Sequence, residues 1–362
     1  MENIRKLFPV LSQNIYTDTA TAGLLSEDLM EWRQEHDIDY LIGGSKMKIK
    51  AMQEQIPEVR KTVARFFGCR NENVALVPNF SIGMNMLLEG LDKRQRVLLL
   101  ENDYPSMNWP FESRGFPISY AKIDAALEQH IWDRIKSDSI NVLALSVVQW
   151  LNGIRIDLDF LRQLKKDFPD LIIIADGTQF CGTTNFDFED SGIDILGGSG
   201  YKWLLAGYGN GFMLFKEDIM ERFSLKTTGF NAANADMSKK NEIRFSKHFE
   251  PGHLDTLNFG SLKFSLEFLE TLGKDMVEAQ LRKLSDHAKK AFTTLDLLDI
   301  DVTGRQRHST IFNIAGDDAT FQKLSSNGVI CAQRGRGIRL SFHCYNTEND
   351  VDKVVRILKT GQ

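Results

Sequence analysis

The chain has 362 residues, of which 42% are hydrophobic and 26% charged, and its formal net charge is −5. This composition is typical of an ordinary globular protein, and the length leaves room for two domains. A small negative charge without long runs of one sign argues against nucleic acid or an anionic membrane as the main partner. The four cysteines are scattered without a C-x-x-C pair, so neither a metal site nor a disulfide framework is expected.

The start of the chain gives no targeting or membrane signal. Residues 1–14 contain no apolar stretch of the signal-peptide kind, and no window approaches 18 apolar residues. We therefore expect a cytoplasmic protein.

Helical and strand patterns alternate through the first two-thirds of the chain. Six short apolar runs predict strands: Val74–Val77, Val97–Leu100, Asn141–Val148, Leu171–Ala175, Ile193–Leu196 and Phe212–Phe215. Several are apolar at successive positions, which is typical of parallel strands covered on both faces. Three helix-like segments fall among them: Glu58–Phe67, Ile82–Leu91 and Leu158–Phe168. The alternation predicts an α/β domain whose ligand chemistry lies at the carboxyl ends of the strands.

The pattern changes after about Phe249. Residues 257–298 read as long helix, Gly337–Phe342 as a short strand and Glu348–Leu358 as an amphipathic helix. We expect a large α/β domain over residues 15–250. A smaller α+β domain would combine residues 1–14 with residues 251–362.

Asp176 and Lys202 are the two residues that suggest chemistry. Asp176 closes the Leu171–Ala175 run, so it is either a turn or N-cap residue or a buried carboxylate that pairs with a cofactor's pyridinium nitrogen. Lys202 follows the Ile193–Leu196 run among apolar neighbours. It is either a solvated lysine or an amine whose pKa falls on burial, which makes it a nucleophile toward an aldehyde.

The segment Pro78–Gly83 follows a predicted strand and opens a predicted helix. Free N–H groups at the helix start, with the hydroxyl of Ser81, would form a cradle for a phosphate. Plain N-capping by Asn79 or Ser81 is the alternative.

Four segments occur in a characteristic order: Asp176–Gln179, Ser199–Lys202, Phe249–His253 and Arg339–Thr347. Together they resemble the class V aminotransferase family, which includes cysteine desulfurases, selenocysteine lyases, kynureninases and isopenicillin N epimerases. The resemblance covers roughly residues 14–360. It implies the fold type I architecture of pyridoxal-phosphate (PLP) enzymes, PLP as the cofactor and a homodimer with sites at the subunit interface.

The resemblance also implies roles for individual residues. Lys202 matches the lysine that carries PLP as a Schiff base, Asp176 the partner of the pyridine nitrogen, and Arg339 the arginine that holds the substrate α-carboxylate. Eight further residues match cofactor contacts: Gln179 near the 3-hydroxyl, Tyr104 stacked on the ring, Gln149 beside the ring, Phe80 and Ser81 at the helix start, Ser199 and Tyr201 at the phosphate, and His253, where relatives reach the partner subunit's phosphate.

The family's usual residue at the position of His253 is threonine, and two further features leave the substrate open. Desulfurases carry a catalytic cysteine on a loop, whereas Cys331 precedes Arg339 by a short segment and lies in the apolar run Gly328–Ala332. It is therefore either a buried cysteine or a persulfide carrier. Four arginines near predicted strand ends suit either an acidic substrate or a solvated rim: Arg305, Arg307, Arg334 and Arg336.

The sequence therefore predicts a PLP-dependent enzyme acting on a small-molecule amino acid, by transamination or lyase chemistry at Lys202. Cysteine desulfurase or selenocysteine lyase activity, amino-acid epimerisation, and a non-catalytic PLP-fold protein that binds or regulates are the alternatives. Neither the substrate nor the bond that breaks can be read from these motifs.

Overall fold

The computed structural model describes residues 2–360. The strands are β1 (Ile15–Tyr16), β2 (Val74–Val77), β3 (Val97–Leu100), β4 (Ile118–Ala121), β5 (Val142–Ser146), β6 (Ile172–Asp176), β7 (Ile195–Ser199), β8 (Gly211–Phe215), β9 (Ile311–Ala315), β10 (Val329–Ile330), β11 (Ala332–Arg334) and β12 (Gly337–Ser341). The α-helices are α1 (Glu2–Arg5), α2 (Glu27–Gly43), α3 (Ser45–Lys50), α4 (Ile56–Phe67), α5 (Phe80–Glu89), α6 (Pro105–Glu112), α7 (Leu127–Asp138), α8 (Leu158–Asp167), α9 (Thr256–Leu272), α10 (Lys274–Thr294), α11 (Ile300–Thr303), α12 (Asp318–Ser326) and α13 (Glu348–Lys359).

The centre of the molecule is a seven-stranded sheet with the order β2-β8-β7-β6-β5-β3-β4. Neighbouring strands from β7 to β4 run parallel, whereas β8 is antiparallel to both β2 and β7. Every residue of β5, β6 and β7 is buried, because apolar clusters cover both faces of the sheet. The predicted fold class, an α/β architecture with a mostly parallel sheet, is confirmed.

The sequence patterns missed two details. Strand β4 was not predicted, because three of its four residues are only half-buried and it lacks a continuous apolar run. The single long helix expected over residues 257–298 is two helices, α9 and α10, which Gly273 separates with a φ of +86°. Glycine adopts this left-handed backbone at little cost, so the break is fixed locally.

The C-terminal part of the chain forms a second, smaller layer. An antiparallel sheet with the order β11-β12-β9 packs its apolar face against α10 and α13. Strand β1 pairs in parallel with β10, which ties the N-terminal segment to this part. The domain limits at residues 14 and 251 stay a prediction. Across residues 2–360 no helix combines the length and the apolar character that a membrane crossing requires.

Glu250 anchors the turn that leads from the large sheet to α9. Its carboxylate is fully buried, accepts two hydrogen bonds from Arg60 at 2.6 and 2.8 Å, and also accepts from Lys247 and from the backbone N–H of Leu76. Burial alone would raise the pKa of Glu250, but the hydrogen bonds and the charge of Arg60 outweigh it and lower that pKa.

We predict that Glu250→Ala lowers the free energy of unfolding by about 3–5 kcal/mol, because it leaves the Arg60 guanidinium buried without its partner. Urea unfolding of the variant and the wild type would measure this difference. Glu270→Ala breaks the more exposed pair with Arg65 and should cost far less. Equal losses in the two variants would contradict the prediction.

Candidate functional site

Three neighbouring parallel strands bring the predicted site residues to one edge of the sheet. In the register, Ser146 at the end of β5 lies beside Asp176 at the end of β6, and Asp176 lies beside Gly197 of β7. Lys202 follows β7 after a two-residue turn. The carboxyl ends of parallel strands therefore hold Asp176 and Lys202 together, where ligand sites of open α/β sheets form.

Asp176 is buried, with 4% of its surface exposed. Its Oδ1 accepts a hydrogen bond of 2.8 Å from the backbone N–H of Thr178. Burial raises the pKa of Asp176 to about 6, although Thr178 and the charge of Lys202 oppose the rise and the nearby Asp103 adds to it. A carboxylate in this position suits a cationic ring nitrogen, which would stabilise its charge.

Lys202 is also buried, and burial lowers the pKa of its amine to about 8. The charge of Asp176 opposes this shift, and the charge of Arg339 adds to it. The amine lies 5.4 Å from the ring centre of Tyr104 and 5.5 Å from that of Tyr201. Near neutral pH this amine is uncharged more often than a solvated lysine, and the uncharged form is the nucleophile toward an aldehyde.

The N-terminal segment closes over the backbone of this lysine, which the sequence motifs did not reveal. The N–H of Gly23 donates to the carbonyl of Tyr201 at 2.8 Å. A Cβ atom on Gly23 would stand 2.0 Å from the carbonyl oxygen of Lys202, so no other residue fits without displacing the chain.

Asp103, three residues after the end of β3, is a second residue that the motifs missed. Its carboxylate accepts hydrogen bonds from the N–H groups of Tyr104 and Ser146 at 2.6 and 2.7 Å, and burial raises its pKa. Its position in the turn that follows an apolar strand was the available signal. Nearby, the Oε1 atom of Gln149 is buried without a hydrogen-bond partner among residues 2–360, and so is free for a ligand.

Arg339 reaches the site from β12 in the small sheet. Its guanidinium donates to the carbonyl of Trp150 at 2.8 Å and to the hydroxyl of Thr21 at 2.6 Å, and it lies 3.7 Å from Asp18. The Nε atom of Arg339 and the Oδ1 atom of Asp18 are buried without hydrogen-bond partners in the described part of the chain. Unused donors on a buried guanidinium suit a planar anion such as a carboxylate.

The phosphate cradle is predicted at the start of α5. There Asn79 caps the helix by accepting from the N–H of Ile82, Phe80 donates its N–H to the hydroxyl of Ser199 at 2.9 Å, and Ser81 donates to Ser106 at 2.7 Å. Asn79 therefore supplies the N-cap, and phosphate binding by Ser81 and Ser199 stays a prediction.

The remaining predicted contacts divide into two groups. Gln179 accepts from the indole N–H of Trp203 at 2.7 Å, and Tyr201 stacks on Tyr208 at 4.6 Å, so both lie with Lys202. His253 is exposed beside the ring of Phe230 and does not join the other residues within this chain. Its predicted contact with a partner subunit stays a prediction.

The four arginines do not form one cluster. Arg305 pairs with Glu128, and Arg307 pairs with two aspartates of the large sheet's loops. Arg336 is exposed at the tip of the β11–β12 hairpin. Arg334 is close enough for its charge to lower the pKa values of both Lys202 and Arg339. Only Arg334 therefore adds positive charge to the site.

We predict that the uncharged fraction of Lys202 governs the rate at which added pyridoxal phosphate reacts with the cofactor-free protein. This rate should rise with pH and level off above a midpoint near pH 8, since burial lowers the amine pKa to about 8. Stopped-flow absorbance from pH 6 to 10 would measure it, with Lys202→Ala as the baseline. A midpoint near 10, as for a solvated lysine, would contradict the prediction.

The aminotransferase class-V model matches residues 16–354 of this chain. A probable cysteine desulfurase of Ureaplasma parvum is 22% identical, and the alignment covers 100% of this chain and 98% of the relative. The apo structure of a cysteine desulfurase from Thermococcus onnurineus superposes with a TM-score of 0.86 at 19% identity, covering 99% of this chain and 97% of the other.

A structure of the cystine C-S lyase C-DES with its product cysteine persulfide has a TM-score of 0.86 at 18% identity, covering 98% of this chain and all of the other. A variant of C-DES carries glycine linked to its PLP cofactor. The predicted cofactor, the fold type I architecture and the assignment as a PLP-dependent enzyme acting on an amino acid are confirmed. With a family match over nearly its whole length, the chain belongs to the aminotransferase class-V family.

Proposed function

We propose that this enzyme cleaves the bond between Cβ and sulfur of a cystine-type amino acid by β-elimination, without a cysteine of its own as sulfur acceptor. The observation that carries the proposal is the hairpin of β11 and β12. Its two strands pair from Ala332 with Arg339 to Arg334 with Gly337, so only Gly335 and Arg336 form the turn. No loop remains there to bring a thiol to the substrate.

Cys331, the residue just before this hairpin, is poorly suited to carry sulfur. It packs against the apolar core of the small sheet, and burial raises the pKa of its thiol to about 12. A thiol is nucleophilic only as the thiolate, which is scarce at neutral pH with such a pKa. The sulfur would therefore leave as part of the substrate fragment that is eliminated, and would not be transferred to Cys331.

The names of similar proteins support a sulfur amino acid as the substrate. Relatives are named as cysteine desulfurases, and C-DES is described as a cystine C-S lyase whose product is cysteine persulfide. In the proposed reaction, cystine and water yield pyruvate, ammonia and cysteine persulfide. One C–S bond breaks, and the S–S bond stays intact in the leaving group.

The residues of the site fit the cofactor. The unpartnered Oε1 of buried Gln149, the carboxylate of Asp176 and the amine of Lys202 face the same strand ends that carry the α5 cradle. PLP, when bound, supplies an electron sink for bond cleavage. We assign Asp176 to the ring nitrogen and the Ser81 and Ser199 region to the phosphate.

The protein's own groups then bind the substrate and move its protons. Arg339 would bind the α-carboxylate through its unused donors, and Tyr104 would cover the ring face opposite the protein interior. Lys202 would take the α-proton as general base, because its pKa of about 8 lies close to neutral pH. Trp150 and Tyr104 pack edge to face at 5.8 Å, so this aromatic pair would form an apolar wall of the substrate site.

The products test the proposal. With L-cystine the holoenzyme should form pyruvate and persulfide in equal amounts, and Cys331→Ala should retain most of this activity. A lactate dehydrogenase assay for pyruvate and cyanolysis for persulfide sulfur would measure both. With L-cysteine as the substrate instead, alanine as the main product and loss of activity in Cys331→Ala would establish a desulfurase. Amino transfer to an added 2-oxo acid without sulfur release would establish an aminotransferase.

Arg339→Gln should raise the KM for the amino acid roughly 10- to 100-fold, because it removes charge-assisted hydrogen bonds to the carboxylate. PLP content, read from absorbance, should stay near the wild-type value. The exposed Arg336→Gln on the same hairpin serves as the control and should leave KM nearly unchanged. Loss of cofactor from Arg339→Gln at unchanged KM would contradict the assigned role.

We infer that the working unit is a homodimer in the cytoplasm, with His253 facing the partner's site. Large apolar side chains exposed in the single chain support a partner surface, among them Trp109 at 64% and Tyr208 at 66% exposure. Tyr208 stacks on Tyr201 beside Lys202, so such a surface would adjoin the site. Light scattering of the holoenzyme should give about twice the chain mass, and a monomer would contradict the inference.

A further inference from the structure

A polar cavity of about 480 Å³, apart from the site around Lys202, lies between the large sheet's loops and α10. Its walls come from the β5–α8 connection, the turn after Gln179, the outer face of α10 and residues 306–310. None of its lining residues is a predicted contact of the cofactor or the α-carboxylate. It is therefore a separate site, which neither the motifs nor the proposed reaction uses.

Arg155 is the central feature of this cavity. Its guanidinium lies 5.1 Å from the ring centre of Phe180 and donates to the hydroxyl of Thr184 at 3.1 Å. Its Nε atom is buried without a hydrogen-bond partner among residues 2–360. Burial lowers the pKa of Arg155, which reflects a charge that is poorly solvated. A partly buried guanidinium with a buried, unused Nε donor is costly unless an anion satisfies it.

The nearby carboxylate of Glu278 makes no hydrogen bond to Arg155, although its charge partly offsets the effect of burial on the pKa of Arg155. One of its oxygens accepts from the N–H of Asn185 at 2.9 Å, and the other accepts from Arg282 at 2.9 Å. Both oxygens are thus directed to other donors. The charge of Arg155 therefore stays available to a ligand in the cavity.

The remaining charges of the walls are mostly positive. Arg282, Lys289 and Arg307 join Arg155 as cations, whereas Glu278 and Asp286 are the acidic members of the lining. Arg282 is already paired with Glu278, and Arg307 with Asp157 and Asp159. Arg155 and Lys289 are therefore the lining cations that have no ion-pair partner among residues 2–360. The one imidazole of the lining, His308, is held neutral, because burial lowers its pKa to about 4. Two cations without carboxylate partners suit an anion such as phosphate.

We propose that this cavity binds a phosphate group, either as inorganic phosphate or as a small phosphate ester. Arg155 and the hydroxyl of Thr184 bind it from the large-sheet side, and Lys289 of α10 binds it from the opposite wall. A guanidinium with several free donors matches the oxygens of a phosphate, and the surrounding hydroxyl and ammonium groups add single hydrogen bonds.

The position of Arg155 connects this cavity to the catalytic edge. Val148 and Arg155 pair across a short hairpin, and the N–H of Gln149 donates to the carbonyl of Ile154 at 2.8 Å. The tip of the same hairpin supplies the carbonyl of Trp150 to Arg339. A phosphate held by Arg155 would therefore stabilise the hairpin that positions Gln149 and Arg339.

Binding is tested on the holoenzyme after borohydride reduction, which fixes the cofactor so that its own phosphate fills the catalytic cradle. Inorganic phosphate and glycerol phosphate are titrated by isothermal calorimetry and by thermal unfolding, with sodium chloride at equal ionic strength as the reference. We expect saturable binding of at least one of them and a rise in Tm beyond that in chloride. Binding of inorganic phosphate but not of glycerol phosphate would identify free phosphate as the ligand. Binding of both would show that the cavity also accepts a phosphate ester.

Arg155→Met should weaken phosphate binding roughly 10- to 100-fold, as expected for loss of hydrogen bonds from a charged group. Lys289→Met, on the opposite wall, gives a second test if Arg155→Met fails to fold, and it should also weaken binding. Arg94→Met, at an exposed pair with Asp92 outside the cavity, should bind phosphate like the wild type. No binding of either phosphate by the wild type, or wild-type affinity in the folded cavity variants, would overturn the proposal.

Discussion

The opposed charges of Asp176 and Lys202, buried side by side at the end of the parallel sheet, are the constraint on which the rest of the site depends. Burial shifts the pKa of the carboxyl upward and that of the amine downward, so each group lies nearer to neutrality than it would in water. Such a pair is expensive without a ligand, and the stability of the sheet must hold it in place. The apolar strands β5, β6 and β7 provide that stability, since all their residues are buried.

The strands of the large sheet could be predicted from the sequence because buried parallel strands have continuous apolar sequences. Val74–Val77 and Val97–Leu100 coincide with β2 and β3, and Asp176 stands at the strand end where the pattern predicts it. Contacts between backbone segments that are far apart in sequence could not be predicted in this way. Gly23 lies 179 residues from Lys202 in sequence, and only the folded chain reveals that a Cβ there would meet its carbonyl. No local periodicity encodes such an approach.

Predicted roles and observed geometry agree best for residues that lie on a strand or in the turn directly after it. Asp176, Lys202 and Arg339 each occupy a strand or the turn directly after one, and the sheets bring them together. His253 lies in a loop, and its contacts within this chain do not account for its predicted role. Charge patterning was the weakest guide: the arginines near strand ends have separate carboxylate partners or separate surroundings, because long side chains select partners that sequence spacing does not specify.

The pairing of β1 with β10 has a consequence for biosynthesis. Thr17 donates to the carbonyl of Ile330 across 313 positions of sequence, and Ala20 donates its N–H to the hydroxyl of Ser341. The segment that passes over the active lysine is therefore secured in part by residues near the other end of the chain. Contacts of such long range form late in folding. A ribosome-bound chain that already contains the whole parallel sheet still lacks the closed cofactor pocket, so cofactor capture follows completion of the polypeptide.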